Sequence, residues 1–301
     1  MRITIKVNNF SLDETLKSEQ CPADFWFFDK KIKAWVTYVQ LNEKYHKIVA
    51  SQKGDKIQFK ISASDIEREK IREVIQYILG LDFSLEDFLY KFSHDRYLMK
   101  IFKEGGGLRV MRDINKEYRI LAAILTQNTS VKMIKTMQRR LILKFGQKIK
   151  VDGEEIHSLF TARAISDSNE NELKKCKLGY RASYLLKLAR ALSRGSLSIK
   201  EVERLETEEA RKYLMNFKGI GKKVADIILM YGFGRGDVFP IDRWVKNAIE
   251  REYLSQEEKE DEKIYEFAKR YFGKYAAFIN LLIFNYERKK KTPYFNICIW
   301  R

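Results

Sequence analysis

Cysteine, proline and histidine are scarce in this sequence of 301 residues, which contains only three of each. Cys21, Cys176 and Cys298 are too few and too far apart for a disulfide framework or a four-cysteine iron–sulfur cluster. The histidines show no spacing that is typical of a metal site. We therefore predict no cofactor and no catalytic metal.

Long apolar stretches are also missing. No run of about eighteen apolar residues occurs, so we predict no segment that crosses a membrane and no membrane partner. The first residues, Met1 to Thr4, lack the pattern of a signal peptide.

Basic residues, by contrast, are abundant. Lys and Arg total 58 against 41 acidic residues, which gives a formal net charge of +17. Such an excess favours a polyanionic partner, although surface charge that only keeps the protein in solution would look the same. The length allows two packed domains, and a hydrophobic content of 45% is sufficient for their cores.

The first sixty residues predict an antiparallel sheet of four or five strands. Hydrophobic and polar residues alternate in several short segments, and residues 53–55 provide a turn between the last two. The aromatic run at residues 25–28 is interpreted as core packing rather than a binding surface. The alternating segments are residues 2–7, 35–39, 47–50 and 56–61.

Helical periodicity replaces this alternation from about residue 64 onward. Residues 64–67 match a capping box, and Ser84 is positioned to open a second helix. The three glycines at 105–107 indicate a loop rather than a domain linker. We predict an α+β fold, with a β-rich domain and trailing helices over residues 1–100 and a helical domain over 101–301.

A pair of short helices joined by Gly219-Ile220-Gly221 predicts a helix-hairpin-helix at about residues 213–232. Glycine suits this turn because it tolerates positive φ and allows another backbone to approach closely. The second helix begins with free N–H groups, which form an anion site where a DNA phosphate can dock.

Two residues near the hairpin predict chemistry beyond DNA binding. Lys223 lies in the first turn of the second helix, and Asp242 follows 242 − 223 = 19 residues later, after a glycine-rich loop. A helix of about a dozen residues and a loop can return Asp242 to the helix start. Lys222 lies about 100° away around the helix and cannot face the same pocket. Asp226 lies one turn after Lys223, and we expect it to cap the helix or form a salt bridge rather than take part in catalysis.

At these residues the chain resembles the helix-hairpin-helix, Gly/Pro-Asp superfamily of DNA glycosylases, and most of all its 8-oxoguanine DNA glycosylase branch. The resemblance implies that Lys223 is the amine nucleophile and Asp242 the catalytic carboxylate, in a cleft between two helical lobes. It also implies damaged double-stranded DNA as partner, a monomer, and a location at the nucleoid or in the nucleus. A monovalent cation at the hairpin carbonyls is a further family feature.

Two polar segments are candidates for contact with DNA. Residues 126–130 interrupt two apolar helices, which indicates either simple capping or contact with DNA. Gly179 is expected to expose Tyr180 and Arg181, unless the tyrosine is a core residue. By resemblance, Asn128 fills the gap that the extruded base leaves, Tyr180 wedges the duplex and Arg181 contacts the opposite base. The hairpin residues Gly219, Gly221 and Lys222 complete the predicted DNA-binding set.

The base pocket is the weakest part of the resemblance. The branch uses a phenylalanine and a glutamine of a late helix to sandwich and read the oxidised guanine, and the nearest matches are Phe278 and Ala277. The branch's second opposite-base arginine aligns with Met133, which leaves a strict preference for cytosine open.

The expected function is excision of an oxidised purine through a Schiff base, followed by strand nicking by β-elimination. One alternative is an alkylated-base glycosylase of the 3-methyladenine type. Another is a non-catalytic DNA-binding repair module.

Overall fold

The alternating segments at the start of the chain form a five-stranded antiparallel sheet, with strand order β1-β5-β4-β3-β2. The structure is a computed structural model that describes residues 1–63, 66–254, 260–291, 294 and 298–300. The predicted sheet is confirmed. Its strands are β1 Arg2–Lys6, β2 Phe27–Asp29, β3 Ala34–Leu41, β4 Lys44–Lys53 and β5 Lys56–Ile61.

Both faces of this sheet are covered. One face packs against helices α1 (Leu12–Lys17) and α2 (Arg68–Leu79) in a core that contains Ile57 and Phe59. Val36 and Tyr38 of β3 face the other way and join the core of the helical region. Double coverage explains why β3 is almost continuously apolar, whereas β5 alternates.

The helices that follow the sheet divide between two cores. The predicted capping box at 64–67 falls partly on residues 64–65, outside the described residues, and α2 begins only at Arg68. Ser84 caps α3 as predicted, by accepting the Asp87 N–H. Helices α3 (Leu85–Phe92) and α4 (Arg96–Gly105) pack with the last helices of the chain rather than with the sheet.

Gly105 is the last residue of α4, and Gly106 and Gly107 form a packed loop rather than a linker. Gly107 accepts a hydrogen bond from the Ser11 N–H at 2.9 Å, and a Cβ at Gly107 would lie 2.4 Å from the Ser11 side chain. This contact fixes the loop against α1.

The remainder of the chain is mainly helical and carries one small β-hairpin. The hairpin strands are β6 Lys148–Val151 and β7 Glu154–His157, and the helices are α5 Lys116–Ala123, α6 Val131–Phe145, α7 Ala162–Ser166, α8 Glu170–Lys174, α9 Arg181–Ser193, α10 Ile199–Arg204, α11 Thr207–Met215, α12 Lys222–Gly232, α13 Arg243–Glu252, α14 Asp261–Tyr271 and α15 Ala276–Lys289.

These helices form two lobes with separate hydrophobic cores. The first lobe contains α5 to α12, and the second contains α3, α4 and α13 to α15. Helix α15 contributes to both cores, through Ala277 and Leu281 on one side and Phe278 and Leu282 on the other. The predicted α+β fold with two helical lobes is therefore confirmed.

Helix α12 is deeply buried in the first lobe. Every residue from Val224 to Gly232 is buried, and only its first turn reaches the surface. Asp226 is fully buried and pairs with Arg211 of α11 at 2.6 Å. The salt-bridge role predicted for Asp226 is confirmed.

Candidate active site in the cleft between the lobes

A cleft of about 810 Å³ opens where the two lobes and the N-terminal domain meet. The first lobe contributes residues 128–132 and one face of α12. The second lobe contributes the start of α13 and one face of α15, and residues 19–21 form the floor. A separate cavity of about 550 Å³, lined by Tyr38, Tyr118 and Trp300, contains neither predicted catalytic residue.

Lys223 and Asp242 both line the cleft, although they belong to different helices. Lys223 projects from the first turn of α12, and Asp242 immediately precedes α13. Ile227 and Tyr231 lie one and two turns after Lys223 on the same face and line the cleft as well. The structure thus brings together the two residues that the sequence predicted to meet.

Asp242 is held by its own helix and by its surroundings. Its carboxylate caps α13 by accepting the Val245 N–H at 2.9 Å. Burial raises the pKa of this carboxyl above its ordinary value, although the Val245 N–H and the positive charge of Lys223 oppose the rise.

Lys222 points away from the cleft, as its position around the helix predicts. Its ammonium group bonds both carboxylate oxygens of Glu262 at 2.9 Å and lies 3.8 Å from the centre of the Tyr265 ring. These contacts anchor the start of α12 to α14 and leave Lys223 as the hairpin lysine that lines the cleft.

The hairpin turn has the geometry that its glycines predict. Gly219 has φ of +98°, and a Cβ there would lie 2.8 Å from the Tyr184 side chain. Gly221 precedes α12 with ordinary φ and open space around it. The first N–H groups of α12 follow this exposed glycine, as an anion site requires.

The turn between α5 and α6 carries an exposed asparagine. Asn128 lines the cleft and has φ of +37°, a region that asparagine tolerates better than most residues. Its neighbour Gln127 donates its side-chain amide to the Gly219 carbonyl at 2.6 Å. This turn is therefore linked directly to the hairpin.

Tyr180 and Arg181 differ in exposure, which corrects the expectation that both reach the surface. Tyr180 is 50% exposed, whereas Arg181 is only 8% exposed. The Arg181 guanidinium points inward to backbone carbonyls of Gln127, Asn128 and Leu178. Arg181 is the first residue of α9, and its hydrogen bonds direct the side chain to the turn between α5 and α6 rather than to solvent.

Phe278 and Ala277 are not in the cleft, and the base-pocket assignment is corrected. Both lie in the first turn of α15, which is buried between the lobes; Phe278 packs with its ring centre 4.5 Å from that of Phe83. The same helix presents Asn280 and Phe284 to the cleft, one turn apart. Phe284 is the residue type that the resemblance implies, whereas Asn280 offers a shorter carboxamide in place of the glutamine that the branch uses.

The floor of the cleft comes from the N-terminal domain, which sequence patterns did not indicate. Glu19 forms a buried ion pair with Lys135 of α6 at 2.9 Å. On the other side, Arg288 of α15 donates to the Lys17 carbonyl at 3.2 Å. Residues 17–21 are thereby clamped between the two lobes.

Metal binding and membrane insertion receive no support from the part of the chain that the structure describes. There, no group of three or more His, Cys, Asp or Glu residues could hold a metal ion. No helix in the same ranges combines the length and apolar character that a bilayer crossing requires. The monovalent cation that the resemblance implies at the hairpin carbonyls stays a prediction.

Family comparisons agree with this geometry. Residues 121–274, slightly more than half of the chain, match the family model for the HhH-GPD superfamily of base excision DNA repair proteins. The chain belongs to the HhH-GPD superfamily. Residues 2–117 match the N-terminal domain of 8-oxoguanine DNA glycosylase. The HhH-GPD match contains the hairpin, Lys223 and Asp242.

Individual relatives extend the comparison. A protein of Methanothermobacter thermautotrophicus named as a probable N-glycosylase/DNA lyase is 29% identical over 247 residues, covering 75% of this chain and 77% of its own. The 8-oxoguanine glycosylase/lyase of Clostridium acetobutylicum, solved with double-stranded DNA, aligns with a TM-score of 0.84 at 24% sequence identity. The alignment covers 97% of this chain and 99% of that protein's chain. The 3-methyladenine DNA glycosylase of Archaeoglobus fulgidus aligns with a TM-score of 0.80 at 22% sequence identity. The alignment covers 96% of this chain and 99% of that protein's chain. The solved structures support the fold only.

The two hairpin glycines should respond differently to alanine. Gly219→Ala should cost about 2 kcal/mol in the free energy of unfolding, because it combines positive φ with a clash against Tyr184. Gly221→Ala meets open space and should cost less than about 1 kcal/mol. Urea denaturation of both variants measures the difference, and equal losses would contradict the geometry described.

Asp242 should reduce stability at neutral pH. Its pKa is raised in the folded state, so keeping the carboxyl charged lowers the free energy of unfolding. This loss of stability disappears when the pH falls below the ordinary carboxyl pKa of 3.8, because the group is then protonated in both the folded and the unfolded state. Asp242→Asn keeps a capping acceptor, so it should melt above the wild type at pH 7, with a gain that shrinks as the pH falls.

Asp242→Ala is the matched control for this measurement, because it removes the charge and also the cap. It should be less stable than Asp242→Asn by about 1 kcal/mol. Melting curves of both variants over a pH series test the two effects, and an Asn variant that melts below the wild type at pH 7 would refute the first.

Proposed function

We propose that this protein is a bifunctional DNA glycosylase and AP lyase that removes 8-oxoguanine from double-stranded DNA. The observation that carries the proposal is the meeting of Lys223 and Asp242 in one cleft, at the start of a hairpin helix. The archaeal relative, named as a probable N-glycosylase/DNA lyase, supports the two activities, and the match of residues 2–117 to the N-terminal domain of 8-oxoguanine DNA glycosylase supports the choice of lesion. We expect a monomer that acts on genomic DNA, at the nucleoid or in the nucleus.

DNA would be gripped beside the cleft and the damaged nucleotide rotated into it. The free N–H groups at the start of α12 bind backbone phosphate without regard to sequence, which suits a search for rare lesions. Rotation of the nucleotide costs a few kcal/mol of lost stacking and pairing. Asn128 and Tyr180, both accessible, would occupy the vacated space and offset that cost.

Lys223 would then attack the sugar. Its neutral amine forms a bond to C1′ while the bond from C1′ to the base breaks, and the base leaves with a proton. The sugar ring opens to a Schiff base, and loss of a proton from C2′ expels the 3′ phosphate. The Asp242 carboxylate stabilises the positive charge that develops at the sugar.

The cleft also contains groups that could recognise the base. Phe284 offers a face for stacking, and base–aromatic stacking contributes about 1–3 kcal/mol. Asn280 already donates to the Pro240 carbonyl at 3.0 Å, which fixes the orientation of its amide. A fixed carboxamide beside an aromatic ring suits recognition of a purine edge by hydrogen bonding.

The choice of lesion is tested with duplexes that contain 8-oxoguanine, 3-methyladenine or uracil. Release of 8-oxoguanine, with strand nicking even before alkali is added, is the expected result. Selective release of 3-methyladenine would establish the alkylated-base alternative. Binding of all duplexes without base release would establish a non-catalytic module.

The nucleophile is tested by borohydride trapping on a duplex that contains 8-oxoguanine, at saturating protein. Reduction of the Schiff base leaves the protein covalently attached to DNA. Lys223→Gln should abolish this adduct because the attacking amine is absent. Lys222→Gln should retain it, since the Lys222 ammonium is bound to Glu262 outside the cleft. The reverse pattern would refute the assignment.

A further inference from the structure

We propose that Tyr231 is a specificity residue of the cleft, whose phenolic hydroxyl donates a hydrogen bond to the C6 oxygen of the flipped purine. The inference rests on the proposed function and names the part of the base that this side chain reads. A purine with an oxygen at C6, as in 8-oxoguanine, is thereby favoured over one with an amino group there.

Tyr231 lies at the far end of the stripe of α12 that faces the cleft. Lys223, Ile227 and Tyr231 follow one another at four-residue spacing, and all three line the cleft. Eight residues of α-helix rise about 12 Å, which separates Tyr231 from the amine along the helix axis. Because Lys223 must reach C1′ of the sugar, the base extends from there past Ile227. The edge of the purine remote from the sugar therefore comes nearest to Tyr231.

The hydroxyl of Tyr231 lacks a partner in the described part of the protein. Tyr231 is only 7% exposed, yet its hydroxyl forms no hydrogen bond with any residue that the structure describes. Buried tyrosine hydroxyls usually bond to a neighbouring group, as that of Tyr38 bonds to Glu154. A buried hydroxyl without a hydrogen bond lowers stability, and packing alone requires only the ring. A ligand in the cleft that supplies an acceptor satisfies this group.

The phenol is a hydrogen-bond donor at neutral pH. Burial raises the pKa of Tyr231 well above its ordinary value of 10.0, so the group keeps its proton. Since the described residues supply no acceptor for that proton, an oxygen on the base is the favoured partner. An amino group in the same place would donate to the hydroxyl and leave the proton of the tyrosine without an acceptor.

The other lobe supplies a complementary group. Asn280 of α15 also lines the cleft, and its Nδ2 donates to the Pro240 carbonyl at 3.0 Å. Its carboxamide oxygen is an acceptor. The edge of 8-oxoguanine remote from the sugar carries the C6 oxygen beside N–H donors. Tyr231 and Asn280 together offer the donor and the acceptor that this edge requires.

Single-turnover assays of Tyr231→Phe separate a contact with the base from a general loss of the site. The variant should release 8-oxoguanine at least about fivefold more slowly than the wild type, because the C6 oxygen loses its donor. On a duplex that already contains an abasic site, its nicking rate should stay within about twofold of the wild type, since no base is present. Equal losses in the two assays, or unchanged base release, would overturn the inference.

Thermal melting without DNA tests whether the hydroxyl serves the folded protein instead. Tyr231→Phe should melt no lower than the wild type, because the described residues do not bond to its hydroxyl. Tyr45→Phe is the matched control, since the Tyr45 hydroxyl accepts the Leu159 N–H at 2.9 Å outside the cleft. The control should melt lower and release 8-oxoguanine as fast as the wild type. A Tyr231→Phe protein that melted as low as the control would contradict the assignment.

The oxygen itself is identified by binding in a Lys223→Gln background, which cannot cleave DNA. Adding Tyr231→Phe should weaken binding to a duplex with 8-oxoguanine by about fivefold. On a duplex with 8-oxoadenine, which carries an amino group at C6, the same change should weaken binding by less than about twofold. Equal weakening on both duplexes would exclude the C6 oxygen as the partner.

Failure of the proposed function would give a different result. If the wild type released no 8-oxoguanine, the proposed function would fail, and the role of Tyr231 would fail with it. If the wild type released 8-oxoguanine and Tyr231→Phe did so at the same rate, only the role of Tyr231 would fail.

Discussion

The buried ion pair between Asp226 and Arg211 is the interaction on which the site depends. Asp226 lies three residues after Lys223, is fully buried, and joins α12 to α11 across the hairpin. Burial raises the pKa of this carboxyl to about 6, although the charge and hydrogen bond of Arg211 oppose the rise. This ion pair therefore fixes α12, the helix that carries the proposed nucleophile Lys223, against α11.

Helix α12 next to this pair has a buried part and an accessible part. Helix α12 is enclosed from Val224 onward, so its position is set by the core of the first lobe. Only its first turn opens toward the cleft and the surface. Lys222 is bound on one side by Glu262 and Tyr265, and Lys223 lines the cleft together with Asp242. A rigid helix with an open first turn places an amine accurately and leaves its N–H groups for phosphate.

The cleft is complete only when all three parts of the chain are folded. The floor segment at 17–21 is held by Lys135 of the first lobe and Arg288 of the second. The wall from α15 depends on a helix whose first turn is buried in both cores. The walls and floor of the cleft thus exist only in the assembled lobes, whereas the hairpin and its lysine belong to one local motif.

Sequence alone determined the elements whose signals are local. The alternating strands, the hairpin glycines, and the meeting of Lys223 with Asp242 follow from periodicity, backbone freedom and spacing. The small hairpin β6–β7 also had a local signal, Asp152-Gly153, both with positive φ, that the prediction overlooked. Only tertiary structure decided that Arg181 turns inward, that α15 presents Asn280 and Phe284 rather than Phe278, and that residues 19–21 form the floor. Those outcomes depend on which segments, distant in the sequence, pack against each helix or loop. A local sequence pattern contains no information about that packing.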